Sequence, residues 1–198
     1  ASFSVVAAEK PTKAGIATAH PLATEAGHNI LAAGGNAFDA AVAVSAVLAV
    51  VEPYGSGLGG GGFWLLHQAE PAQQIMIDGR ERAPLAARAD LYLDEQGEVI
   101  PGLSRDGALA AGIPGTPAAL VHIARQYGQL PLAASLAPAI RLAREGFPVD
   151  ARYRQRALFR LKALLASPAA SRIFLADGRP PPAGYLLRQA DLANLLED

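Results

Sequence analysis

The sequence predicts an α+β fold that is rich in helices and carries one β-hairpin. Three features lead there. A twelve-residue run of small apolar residues, Ala40 to Val51, is flanked by a capping residue and by Glu52-Pro53. It is well short of the ~18–20 residues that span a bilayer, so it reads as a buried helix. Two shorter apolar runs, Phe63–His67 and Gln74–Ile77, flank a turn containing Pro71 and read as a β-hairpin within a covered sheet. The second half of the chain repeats its apolar residues at helical spacing.

Taken in order, Ala14 to Thr18 is a short strand candidate. The helix after it has Pro21 in its first turn, Leu22, Ala26, Ile30 and Ala33 on one face, and Gly34-Gly35 as a stop. Asn36 is a good N-cap for the next helix, and Asp39, three residues on, can reach back to it. Ala and Val occupy nearly all faces of that helix, so protein should surround it. Thr116-Pro117 reads as an N-cap followed by proline at the first helical position, with Leu120, Val121, Ile123, Ala124 and Tyr127 on the apolar face and Gly128 as the stop. Ser135 to Arg144 is a further helix, with Pro138 tolerated in its first turn and Gly146 closing it. Another runs from about Tyr153 to Leu165, and Pro180-Pro181-Pro182 breaks the chain before the closing segment Leu186–Leu196.

Composition narrows the function classes. The 198 residues are 51% hydrophobic and 18% charged, a globular balance. Seventeen basic residues against eighteen acidic ones give no general attraction to nucleic acid or to an anionic membrane. A small molecule or another polypeptide is the expected partner. The absence of cysteine excludes disulfides, thiolate metal sites and a cysteine nucleophile, and does not identify the compartment. The N-terminus has no basic stretch followed by a long apolar one, so a signal peptide is expected to be absent or already removed: a periplasmic or extracellular location in the second case, a cytoplasmic one in the first.

The glycine-dense loop from Gly55 to Gly62 formally contains G-x-G-x-x-G, at Gly55, Gly57 and Gly60. A dinucleotide site needs that motif after a strand and before a helix, whereas this loop follows a helix and opens a strand. The loop is expected to use positive φ angles and close backbone approach, and to border a substrate pocket. Ser56 is not a nucleophile elbow, since Tyr54 and Leu58 stand where glycines are required. His20, His28, His67 and His122 are scattered, without metal-ligand spacing, so no metal or cofactor is expected. His20 falls at a strand end or helix start. Arg152, Arg156 and Arg160 form a basic stripe, but Tyr153, Ala157, Leu161 and Leu164 line the opposite face, as in an ordinary amphipathic surface helix. Arg80, in the tetrad Asp78-Gly79-Arg80-Glu81, has two readings. By strand parity it lies on the same face as Asp78 and can form a local ion pair, or its planar guanidinium can grip a substrate carboxylate through two parallel hydrogen bonds.

Several of these motifs together carry a resemblance. Ala17-Thr18-Ala19-His20-Pro21-Leu22-Ala23, Gly34-Gly35-Asn36-Ala37 and Val51-Glu52-Pro53 are followed by Ser56-Gly57-Leu58-Gly59-Gly60-Gly61-Gly62-Phe63, Asp78-Gly79-Arg80-Glu81 and Pro114-Gly115-Thr116. Pro138-Ala139-Ile140 and Gly146-Phe147 continue the series. In this order the motifs resemble the N-terminal part of the large subunit of gamma-glutamyltransferases (gamma-glutamyl transpeptidases), which are N-terminal-nucleophile hydrolases, and the similarity covers essentially the whole chain.

The resemblance implies a segment of a four-layer αββα sandwich and a proenzyme that cuts itself to free an N-terminal threonine on a small subunit. That threonine attacks the gamma-glutamyl amide of glutathione or a relative, and the acyl group passes to water or to an amine. The amino terminus beside the hydroxyl can serve as its base. By motif, the arginine that binds the α-carboxylate of the glutamyl group falls on Arg80. No catalytic nucleophile is assigned to residues 1–198, which the resemblance makes a single partial domain. This chain is therefore expected to be inactive alone, to leave apolar surface exposed, and to have as partners the gamma-glutamyl substrate, the rest of the large subunit and the small subunit. Related enzymes that hydrolyse glutaryl side chains of beta-lactams or process poly-gamma-glutamate are alternatives, as is a non-catalytic binding module on the same scaffold.

Overall fold

The structure is a computed structural model and describes residues 13–198. Most of the N-terminal stretch considered for a signal peptide, up to residue 12, lies outside the described residues. Ala14 to Thr18 forms no strand, correcting the expectation. No strand among the described residues runs beside it, and the Thr18 hydroxyl turns to the start of the first helix, 2.8 Å from both the His20 carbonyl oxygen and the Thr24 hydroxyl.

Two helices follow, α1 (Pro21–Ala32) and α2 (Ala37–Val51). The expected capping box is present at the start of α2. Asn36 Oδ1 accepts from the amides of Phe38 and Asp39 at 2.8 and 3.0 Å, and Asp39 Oδ2 accepts from the Asn36 amide at 2.9 Å. The same two side chains reach across the fold. Asp39, wholly buried, accepts from the amides of Gln129 and Leu130, and the Asn36 Nδ2 donates to the Tyr127 carbonyl. The helix start and the turn after residue 127 are thereby tied together. As its all-round apolar sequence requires, α2 packs against α1, α3 (Thr116–Tyr127) and α4 (Leu132–Glu145).

Strands β1 (Gly62–Gln68) and β2 (Gln73–Gly79) pair antiparallel, with Trp64 opposite Ile77 and Leu66 opposite Ile75. Those four side chains face the helical core. The other face is uncovered: Phe63, Leu65 and Met76 are 56, 67 and 58% exposed. Among the described residues the sheet is thus covered on one side only, which corrects the expectation of a covered sheet.

Boundaries in the second half differ from the sequence reading. At α3 the cap position is Gly115, and the Thr116 hydroxyl, instead of capping, donates to the Gly60 carbonyl at 3.2 Å. Helix α4 begins a turn early, at Leu132, so Pro138 lies inside it rather than in its first turn. Gly146 ends it with φ +95°. The helix expected over Tyr153–Leu165 is two, α5 (Ala151–Phe159) and α6 (Leu161–Ala166). Arg160 sits between them with φ −102° and ψ 12°, its side chain drawn aside into an ion pair with Asp106. Helix α7 (Pro168–Phe174) follows, with Ser167 as its N-cap. The segment after the three prolines contributes β4 (Leu186–Leu187), paired with β3 (Phe147–Pro148), and α8 (Ala190–Glu197), which packs on α4.

Candidate functional site

The site grows from the C-terminal end of α2. The Glu52 carbonyl ends the helix and accepts from the amides of Gly55 and Ser56, both at 2.9 Å, which starts the glycine loop. Farther along, the Gly60 carbonyl accepts from the amides of Gly115 and Thr116 at 3.1 and 3.2 Å, stitching the loop to the start of α3. The loop borders a cleft whose walls include Tyr54, Trp64, Glu81 and Thr116. The indole of Trp64 donates to the Ser45 hydroxyl at 3.2 Å and fixes one wall to α2.

None of Gly55 to Gly62 adopts a positive φ, contrary to expectation. Close approach accounts for the glycines instead, most clearly at Gly61. A Cβ there would lie 2.5 Å from the Gly79 carbonyl oxygen and 2.6 Å from the Glu81 amide nitrogen. No side chain fits between this loop and the segment carrying Arg80.

Arg80 follows the end of β2 and is 63% exposed. Its amide donates to Asp78 Oδ1 at 3.0 Å, and its Nε donates to Glu81 Oε2 at 3.2 Å. The ion pair is therefore with Glu81, while Asp78, the partner that strand parity suggests, receives the backbone. The guanidinium carbon stands 5.9 Å from the centre of the Phe63 ring, within cation–π range. The Glu81 carboxyl is held below the usual carboxylate range, first by its own backbone amide; partial burial opposes this, and the Arg80 guanidinium adds to it. Glu81 thus stays ionised beside the arginine. Its importance as a partner escapes a reading by strand parity, because β2 has already ended at Gly79.

His20 is the N-cap of α1: its Nδ1 accepts from the Leu22 amide at 3.2 Å. Burial lowers its pKa, and the carboxylates of Asp150 and Glu52 oppose that shift. His28, His67 and His122 lie exposed on α1, β1 and α3. Among the described residues, no three of His, Cys, Asp or Glu converge as metal ligands. In the basic stripe, Arg152 pairs with the buried Glu52 at 3.4 Å and Arg160 pairs with Asp106, while Tyr153 and Ala157 are buried. No helix among the described residues is long and apolar enough to cross a membrane.

A family model described as gamma-glutamyltranspeptidase matches residues 23–198. The glutathione hydrolase proenzyme of Bacillus subtilis (strain 168) is 42% identical over 179 residues, which are 90% of this chain and 30% of that protein. The glutathione hydrolase proenzyme of Escherichia coli (strain K12) is 40% identical over 183 residues, 92% of this chain and 31% of that protein. In three dimensions, the crystal structure of Helicobacter pylori gamma-glutamyltranspeptidase superposes with a TM-score of 0.91 and 40% identity over 95% of this chain and 54% of that one. The chain spans less than a third of the length of these two curated relatives. The helix-rich architecture with its small antiparallel sheet is shared with the superposed enzyme.

Proposed function

Because this chain belongs to the gamma-glutamyltranspeptidase family, we propose that it acts as the N-terminal part of the large subunit of an enzyme that transfers or hydrolyses gamma-glutamyl groups. In this reading Arg80 binds the α-carboxylate of the glutamyl group. One observation carries the assignment. The guanidinium is tethered through Nε alone, and neither terminal nitrogen has a hydrogen-bond partner among the described residues. An end-on fork is left for a planar carboxylate.

The chemistry divides between chains. The nucleophile is a threonine at the N-terminus of a second polypeptide, freed by self-cleavage, with its own amino group as general base. It attacks the gamma-carbonyl, expels the leaving amine and forms a gamma-glutamyl ester, which water or an acceptor amine then resolves. The residues described here hold the donor: Arg80 takes the charge, Glu81 keeps its guanidinium in place, and the glycine loop packs against the backbone beneath it. The uncovered face bearing Phe63, Leu65 and Met76 is the side on which the complementary part of the enzyme would lie. Glutathione, a gamma-glutamyl peptide, is the substrate that the curated relatives' names suggest.

Denaturing intact-mass measurement and N-terminal sequencing of the purified full-length gene product, with a gamma-glutamyl anilide assay on the same sample, test this reading. A second polypeptide beginning with threonine, together with anilide turnover, is the expected result. A single unprocessed polypeptide without turnover would overturn it and leave a non-catalytic module on the same scaffold.

A further inference from the structure

We propose that the cleft beside Arg80, between β2 and the start of α3, is a second carboxylate subsite, in which Arg82 takes the far carboxylate of a gamma-glutamyl peptide that carries two. The proposal rests on the assignment of Arg80 to the glutamyl α-carboxylate.

Glu81 lines the glycine-loop cleft, whereas Arg80 and Arg82 both line the neighbouring one. That cleft has a volume of about 550 Å³, the scale of a small-molecule site. Ile77, Pro114 and Ala118 supply apolar walls, and His122 approaches from α3. Arg82 is presented at a set position, because its amide donates to the Ile113 carbonyl at 3.1 Å and its carbonyl accepts from the Ile113 amide at 2.8 Å. The Arg82 side chain has no ion pair among the described residues. Asp78 is the carboxylate in the lining, and it already accepts the Arg80 amide. The cleft therefore sets the guanidinium of Arg82, which has no ion pair among the described residues, beside that of Arg80, whose pair with Glu81 uses Nε and leaves its terminal nitrogens available.

Two such forks fit a substrate with two carboxylates. A gamma-glutamyl group brings one, its α-carboxylate. A leaving group that ends in a free peptide carboxylate brings the other. Two residues of chain separate the arginines by at most ~7 Å at the backbone, and each side chain is long, with terminal nitrogens that have no partner among the described residues. The pair can bracket a tripeptide, which spans roughly 10 Å at ~3.3 Å per residue. A point charge on the rim without a fixed partner contributes mainly discrimination, by attracting the anion that belongs and leaving the neutral analogue unrewarded.

The test compares KM for glutathione with KM for its glycyl amide, which lacks the far carboxylate, on the full-length gene product. The wild type should bind the acid about five- to tenfold better, the range between an exposed ion pair and a charge-assisted hydrogen bond. Arg82→Ala should collapse that ratio to near one, and Arg82→Lys should keep most of it. Arg80→Ala should raise both KM values together and preserve the ratio. If the wild type does not distinguish acid from amide, or if Arg82→Ala retains the preference, the subsite is overturned. If Arg80→Ala moves neither KM while Arg82→Ala still abolishes the preference, the Arg80 assignment fails instead. Should Arg82→Ala fail to fold, Arg82→Gln, which keeps a long polar side chain and loses the charge, should lose the preference in its place, and a retained preference there overturns the subsite.

Discussion

Arg80 meets Glu81 side-on, Nε to Oε2 at 3.2 Å. Because the contact uses the edge of the guanidinium, it restrains the arginine without consuming the two terminal nitrogens that a carboxylate would grip. Both groups are exposed, so the pair by itself adds little to stability. Its value lies in orientation, with the Glu81 carboxyl kept ionised partly by the arginine it holds.

Support for Arg80 from beneath gives a first prediction. A methyl group at Gly61 would strike the Gly79 carbonyl and the Glu81 amide. Gly61→Ala should destabilise the protein by about 1–3 kcal/mol, as overpacking does, and should raise KM for a gamma-glutamyl anilide. Wild-type kinetics and an unchanged denaturation midpoint would show that the loop does not bear on the Arg80 segment.

His20 caps α1 through Nδ1, which can accept only while that nitrogen is unprotonated. Burial sets its folded pKa below the ordinary 6.5. The unfolded chain therefore binds the proton more readily. The stabilisation by His20 is full above pH 6.5 and is lost as pH falls through the lowered folded value. Melting temperatures measured from pH 7.5 down to about 5 should fall for the wild type more steeply than for His20→Asn, whose cap does not titrate. Parallel pH profiles would contradict this.

Asp39 satisfies the amides of Asn36, Gln129 and Leu130 from a fully buried position. Asp39→Ala should cost about 3 kcal/mol, because it strands several donors at once. Asp39→Asn, which keeps an acceptor, should cost less. Denaturant midpoints of the two variants check the order.

Much of this architecture is legible in the chain. Asn36 and Asp39 announce their capping box because both partners lie within four residues, and the hairpin declares itself through two apolar runs around Pro71. What escapes a linear reading depends on distant contacts. Thr116 looks like a cap until the Gly60 carbonyl, 56 residues earlier, takes its hydroxyl. The break at Arg160 coincides with an ion pair to Asp106, 54 residues back. The loop glycines suggest turns of unusual handedness, yet the requirement at Gly61 is the Gly79–Glu81 backbone pressed against it. At the site, Arg80 stands out by residue type and motif. Its pairing with Glu81 in place of Asp78 follows from β2 ending at Gly79, a boundary the sequence does not mark.

The most direct measurement is KM for a gamma-glutamyl anilide and for the corresponding 4-aminobutyryl anilide, which keeps the amino group and lacks the α-carboxylate, using the full-length gene product with Arg80, Arg80→Lys and Arg80→Ala. Loss of a charged hydrogen-bonding partner corresponds to ~1.5–3 kcal/mol, so Arg80→Ala should raise the gamma-glutamyl KM roughly ten- to a hundredfold. Arg80→Lys should recover only part of that loss, since it restores the charge but not the fork. The 4-aminobutyryl KM should hardly change. An unaltered gamma-glutamyl KM in Arg80→Ala, or an equal rise for both anilides, would contradict the assignment of Arg80 to the α-carboxylate.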